Sequence, residues 1–326
     1  MQEITGHRLP VLAVDIGGTK ILSAIISSEG EIIAREYRLA LADEGPQAVI
    51  NRVLLAIDHT LDQSNMELCD LDSISIAAAG AIDYEKGIVT LSPNLPGWRD
   101  IPLRDMVRER FRADSWLIND ANAAALGEHH YGAGRGVKNL VFITVSTGIG
   151  GGIIIDNRLY SGTSGSAGEI GHTTVDINGP RCSCGNVGCL ELLASGAAIA
   201  REAAKRISQG DRSSLSEIMA GRIENITAEK VSLAAQSGDS LALEVIAVAA
   251  GYLGVGIANL VNIFNPEVII IGGGVANMGD LLFEPVRKEV SERAYQLAAQ
   301  AVRIVPAQLG DNAGVLGAAI FARQQK

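Results

Sequence analysis

The chain has 326 residues, beyond the size at which a single hydrophobic core usually keeps growing, so two lobes are expected. Hydrophobic residues make up 47% and charged residues 20%, a globular balance that excludes a disordered chain. The net charge of −10 argues against nucleic acid or an anionic membrane as partner, since both need clustered Lys and Arg, and points to a small molecule.

The N-terminal stretch from Met1 to Pro10 carries Glu3, His7 and Arg8 without an apolar core, so it does not read as a secretion signal. The apolar segments read as interrupted by Gly, Asn or charge before the roughly 18 residues a membrane span needs, and a cytoplasmic location is the expectation. Val11 to Asp15 reads as a strand, and after Gly17-Gly18-Thr19 a second strand runs from Ile21 to Ile26. A turn that returns to a strand makes a hairpin, whereas a dinucleotide or Walker loop feeds a helix. Glu31 to Arg38 supplies a third strand. Gln47 to Leu61 has the apolar spacing of an amphipathic helix. Ser73 to Ala79 is a strand ending at Gly80, and Pro102 to Phe111 is a short helix opened by proline.

Trp116 to Ile118 reads as a strand and Ala121 to His129 as an Ala-rich helix. Leu140 to Val145 is a strand, Ser146 to Gly152 a Gly-rich turn, and Ile153 to Ile155 the returning strand. This repeats the pattern of Val11 to Ile26, either as a duplicated α/β unit or as two unrelated hairpins. Ser240 to Ile263 is a long apolar helix, Val268 to Ile271 a buried strand opening into Gly272-Gly273-Gly274, and Val315 to Arg323 a terminal helix after Asp311-Asn312-Ala313-Gly314.

Three features carry chemistry. Asp15-Ile16-Gly17-Gly18-Thr19-Lys20 puts an acid at a strand end, before glycines whose missing Cβ lets backbone amides approach an anion. That suits phosphate with Asp15 holding Mg²⁺, although the same residues also make an ordinary hairpin. Thr147-Gly148-Ile149-Gly150-Gly151 and Gly272-Gly273-Gly274 are further turns of this kind, and three such turns can surround a nucleotide. Asn119-Asp120 opens a helix, where either residue suits an N-cap and Asp120 equally suits a base that accepts a hydroxyl proton in phosphoryl transfer. The chain holds four cysteines. Cys69 stands alone, while Cys182, Cys184 and Cys189 with His172 form a closed tetrahedral zinc set whose glycines let the chain wrap one ion. With no open position the zinc is structural, which leaves Glu169 and Glu191 either as hydrogen-bond acceptors for a ligand or as solvated surface acids.

With D-I-G-G-T-K at 15–20, N-D-A-N-A-A-A-L-G-E at 119–128, S-T-G-I-G-G-G at 146–152, and G-E-I-G-H followed by C-x-C-G-x-x-G-C-x-E, the chain resembles the ROK family over nearly its whole length. The resemblance implies a two-lobed hexokinase/actin-like (ribonuclease H-like) α/β ATPase fold with duplicated α/β units and a zinc knuckle at 172–189. The expected lobes are 1–118 and 119–312, with the terminal helix 313–326 packing back on the first. By position, Asp120 matches the catalytic base. Gly80, Asn94, Asn119, Asp120, Glu169, His172 and Glu191 match sugar contacts, and His172, Cys182, Cys184 and Cys189 match zinc ligands. Asp15, Gly17, Gly18, Thr19, Lys20, Thr147, Gly148, Gly272, Gly273, Gly274 and Gly314 match the ATP side. The implied cofactors are ATP, Mg²⁺ and structural Zn²⁺, and the implied assembly is a homodimer or higher homo-oligomer.

The implied reaction is ATP-dependent phosphorylation of a hexose, with glucose to glucose 6-phosphate favoured by the segments 171–182 and 193–196. N-acetylmannosamine kinase, fructose kinase and a non-catalytic sugar sensor are the alternatives. A DNA-binding repressor of the same family is disfavoured by the acidic charge and by a first strand that begins at Val11.

Overall fold

The computed structural model describes residues 9–92, 94–219 and 221–325. The start of the segment weighed as a secretion signal, residues 1–8, lies outside them, as does Pro93 beside Asn94.

Apolar β1 (Val11–Ile16) and β2 (Lys20–Ile26) form the expected antiparallel hairpin, closed where the Gly17 N–H donates to the Lys20 carbonyl at 2.9 Å. Edge strand β3 (Ile32–Leu39) alternates half-buried and exposed residues, as a one-sided strand should. Helix α1 (Pro46–Ser64) begins on proline and buries Val49, Ile50, Val53, Ala56 and Ile57. Then come β4 (Ser73–Ala78), a small antiparallel sheet of β5 (Ala81–Asp83), β6 (Ile88–Leu91) and β7 (Arg99–Ile101), helix α2 (Leu103–Phe111), β8 (Ser115–Asn119) and α3 (Asp120–Tyr131). The main sheet has the order β3-β2-β1-β4-β8, with β4 and β8 added in parallel.

The second half repeats this plan with β9 (Leu140–Val145), β10 (Ile149–Ile155) and β11 (Arg158–Leu159). Helices α4 (Leu190–Ala194), α5 (Gly196–Ser208), α6 (Leu215–Ile218), α7 (Ala228–Gln236) and α8 (Ser240–Phe264) precede β12 (Val268–Gly272). Helix α9 (Asp280–Arg293), α10 (Gln296–Ala301), β13 (Arg303–Pro306) and α11 (Ala313–Gln324) complete the chain. Its sheet has the order β11-β10-β9-β12-β13 with the same strand senses as the first. The two Gly-rich hairpins are therefore matching parts of one duplicated unit.

Two expectations fail for identifiable reasons. The Gly-rich turn is only Ser146 to Gly148, because Gly150, Gly151 and Gly152 are paired residues of β10. A Cβ at Gly152 would meet the Ala125 side chain and, at 3.0 Å, the Ala121 carbonyl, and one at Gly150 would lie 3.1 Å from the Ala121 Cβ, so these two let β10 lie close to α3, while Gly151 makes room for Ile170. The reading that apolar runs stay below membrane-spanning length also fails. Helix α8 has 25 residues and mean hydropathy 2.0 over its most apolar window. Of that window 61% is buried, against α4, α5, α7 and α9, so protein takes the place of lipid around most of it.

Helices α3 and α11 cross at the centre. A Cβ on Gly127 would strike the Ala313 carbonyl, and one on Gly317 the Ala123 carbonyl, so the helices touch backbone to backbone. Helix α3 leaves the first sheet and packs on β9 and β10, whereas α11 packs on β1, β2, β4 and β8. The end of α11 is pinned there by Arg323, which donates to the carbonyls of Ile26, Ser27 and Ser28. This exchange brings the N-termini of both helices to one cleft.

Candidate active site

The cleft has a volume of about 770 Å³. It brings together all of the residues singled out as sugar or nucleotide contacts, from Asp15, Gly17, Gly18, Thr19 and Lys20 of the first hairpin to Gly80, Asn94, Asn119, Asp120, Thr147, Gly148, Glu169, His172, Glu191, Gly272, Gly273, Gly274 and Gly314.

Its floor is the start of α3. Asn119 is the N-cap: its Oδ1 accepts the Asn122 N–H at 3.0 Å, and its Nδ2 donates to the Gly80 carbonyl at 3.0 Å. The capping task thus falls to Asn119, leaving Asp120 in the first turn, where one oxygen accepts the Ala121 N–H at 2.9 Å. Gly80 has φ +112, and a Cβ there would strike the Leu91 carbonyl, so only glycine fits. Burial pushes the Asp120 carboxyl up to about 6, helped by the nearby charge of Glu169 and opposed by the Ala121 hydrogen bond. Burial likewise pushes Asp15 up to about 7, with Asp120 adding to the effect and Lys20 opposing it. Asp15 faces the first turn of α11, where a Cβ at Gly314 would meet its carboxylate.

Turns converge from the other sides. The Gly18 backbone lies against Asn94, whose carbonyl would be 2.9 Å from a Cβ placed there. The Ser146 N–H donates to the Gly148 carbonyl at 2.9 Å, and Glu191 Oε2 accepts the Ile149 N–H at 2.9 Å. Gly273 has φ +83, and a Cβ at Gly274 would meet nothing within 4 Å, which leaves the backbone there open. Among the described lining residues Lys20 is the one Lys or Arg, against five acids, Asp15, Asp120, Glu169, Glu191 and Asp311. The side chains thus make the cleft net acidic, a setting in which a divalent cation would offset the charge of a bound anion.

Beside the cleft, ligand atoms of His172, Cys182, Cys184 and Cys189 all lie within 4.8 Å of one another. Cys184 Sγ and Cys189 Sγ are 3.7 Å apart, and Cys182 Sγ is 3.8 Å from His172 Nδ1. A tetrahedral zinc with Zn–S about 2.3 Å and Zn–N about 2.0 Å would separate its ligands by about 3.5–3.8 Å, so the four residues fit that ion. Nδ1 is the histidine nitrogen on the sulfur side. Nε2 is 3.9 Å from Glu169 Oε2, and both residues line the cleft. Asn186 Nδ2 donates to the His172 carbonyl at 3.1 Å and braces the loop.

Several lining residues were not anticipated. Asp311 ion-pairs with Lys20, and Asn277 and Ser166 also face the cleft. The signal for Asp311 is faint: Asp311-Asn312-Ala313 opens α11 much as Asn119-Asp120-Ala121 opens α3. Gly165 lies against Tyr84, whose hydroxyl accepts from Asn122 Nδ2 at 2.9 Å.

A sequence model of the ROK family matches residues 11–325. A glucokinase of Thermotoga maritima is 38% identical over 321 residues, 98% of each chain. A xylose repressor of Caldicellulosiruptor bescii is 35% identical over 94% of this chain and 76% of its own. Among solved structures, a ROK family glucokinase from Streptomyces griseus in complex with glucose and AMPPNP superposes with a TM-score of 0.85 at 36% identity, covering 97% of this chain and 99% of that one.

Proposed function

The chain belongs to the ROK family, and on that premise we propose that it is an ATP-dependent glucokinase that transfers the γ-phosphoryl group to the 6-hydroxyl of glucose. One observation carries the chemistry. Asp120, a carboxylate raised to about 6, opens α3 in the same cleft that the turns at 17–19, 147–148 and 272–274 line. The full-length glucokinase relatives support the same reaction.

In this reading glucose sits over the start of α3, with its hydroxyls bound by Asn94, Asn119, Glu169, His172 and Glu191 and by the backbone at Gly80. Asp120 accepts the proton of the attacking hydroxyl. At pH 7 a base of pKa about 6 is mostly ionised yet more basic than an ordinary aspartate. The turns at Gly17-Gly18-Thr19, Thr147-Gly148 and Gly272-Gly273-Gly274, with Lys20 and Gly314, hold the phosphates through backbone N–H groups and one ammonium. Asp15 would hold Mg²⁺, which offsets the charge of the transferring group. His172 Nδ1, Cys182, Cys184 and Cys189 would hold a structural zinc that fixes the loop, leaving Nε2 of His172 toward the sugar.

Among the described residues, the proposed lobes are the part up to residue 118 with α11, and 119–312, meeting where α3 packs on α11. Closure of that cleft over glucose would exclude water from the γ-phosphate. An ADP-release assay across glucose, N-acetylmannosamine, mannose and fructose tests the assignment. Fastest kcat/KM on glucose supports it, and preference for another hexose moves the substrate within the family.

A further inference from the structure

Glu128 lies two turns along α3 from Asp120 and is fully buried. Burying a carboxylate is costly unless its charge is met. Among the described residues no Lys, Arg or His pairs with it. Backbone N–H groups meet it instead: Oε1 accepts from Gln308 at 2.9 Å and Leu309 at 2.8 Å, and Oε2 accepts from Ala133 at 2.8 Å. The chain makes room for this at Gly132, where a Cβ would collide with Oε2. Gln308 and Leu309 follow β13 and lead into Gly310 and Asp311, which line the cleft. The Ala307 N–H donates to the Ile271 carbonyl at 2.9 Å, so this segment hangs between the end of β12 and Glu128.

Resting on the kinase reading above, we infer that Glu128 is a positioning residue: it ties the helix that presents Asp120 to the 307–311 segment on the nucleotide side. It touches neither substrate. It sets where Gly310 and Asp311 stand relative to Asp120, and so how well the nucleotide is held in line with the sugar. What the link needs is an acceptor with the reach of a glutamate, and its charge is secondary. Glu128→Gln keeps length and one acceptor oxygen, whereas Glu128→Asp keeps charge and loses the reach to Gln308 and Leu309.

Calorimetric titration of the full-length protein with Mg²⁺-AMPPNP, and separately with glucose, tests this. The expected result is a nucleotide Kd raised about tenfold in Glu128→Asp, as for loss of a pair of buried hydrogen bonds, and only a few-fold in Glu128→Gln. Glucose Kd should stay within about twofold in both, and the KM for ATP should follow the nucleotide Kd. Wild-type nucleotide affinity in both variants, an aspartate variant that binds more tightly than the glutamine variant, or glucose affinity falling in step would each overturn the inference. Wild-type protein that binds both ligands without releasing ADP would refute the kinase reading alone, since the affinity comparison does not depend on turnover.

Discussion

Glu191 Oε2 accepts the backbone N–H of Ile149 at 2.9 Å, and the helix that carries Glu191 begins at Cys189 of the metal cluster. The carboxylate therefore links the proposed zinc loop to the proposed phosphate turn while lining the cleft. Glu191→Ala should raise KM for both glucose and ATP by about tenfold, the scale of a lost partly buried hydrogen bond to a charged group. Glu191→Gln keeps an oxygen for Ile149, so it should spare the ATP value while raising that of glucose. Steady-state kinetics with each substrate varied decides, and an unchanged ATP KM in Glu191→Ala would show that the turn needs no such support.

Elemental analysis of the purified protein should find about one zinc per chain, because three thiolates and an imidazole at tetrahedral spacing leave no open position. Cys184→Ser should lose most of that metal and bind glucose more weakly, since His172 joins the cluster to the cleft. Metal loss with glucose affinity intact would separate the two sites.

The acid limb of kcat/KM for glucose should fall near pH 6. Burial raises Asp120 to about 6, so below that pH the carboxyl holds its proton and cannot take one from the hydroxyl. Rates should drop roughly tenfold per unit further down. A limb near pH 4 would mean that the working base is an ordinary exposed carboxylate.

The same shift has a stability consequence in the ligand-free protein. Asp120 rises from the ordinary 3.8 to about 6 on folding, so its ionised form is disfavoured in the fold. That costs stability above about pH 6 and nothing below about pH 4. Asp120→Asn should therefore raise Tm at pH 7.5 by about 2 °C or more, and the gain should vanish toward pH 4. Thermal melts at both pH values test the sign, and a loss of Tm at pH 7.5 would contradict the cited burial effect.

How much of this was legible in the sequence varies with the range of the forces involved. The hairpins at Val11 to Ile26 and Leu140 to Ile155 could be read because apolar strands and glycine turns are local signals. So could the His172–Cys189 cluster, whose ligands are near neighbours in the chain. The strand character of Gly150 to Gly152 could not, since glycines read as a turn and only the closeness of α3 to Gly150 and Gly152, and of Ile170 to Gly151, explains them. Helix α8 looks the same to a local reading whether lipid or protein surrounds it, and its neighbours decide. Asp311 and Glu128 were missed for a related reason: each acts through contacts 180 or more positions away, which form only when the segment between β13 and α11 returns to the cleft.

The most direct measurement is ADP release by wild-type and Asp120→Asn protein with saturating Mg²⁺-ATP and glucose, paired with a glucose titration of each. The substitution keeps size and an acceptor for the Ala121 N–H while removing the basic carboxylate. Wild-type protein should turn over, and the variant should be slower in kcat by at least about 10²-fold, the scale of lost general-base assistance, with glucose Kd nearly unchanged. Near-normal turnover in Asp120→Asn would remove Asp120 from the base role and with it the central claim.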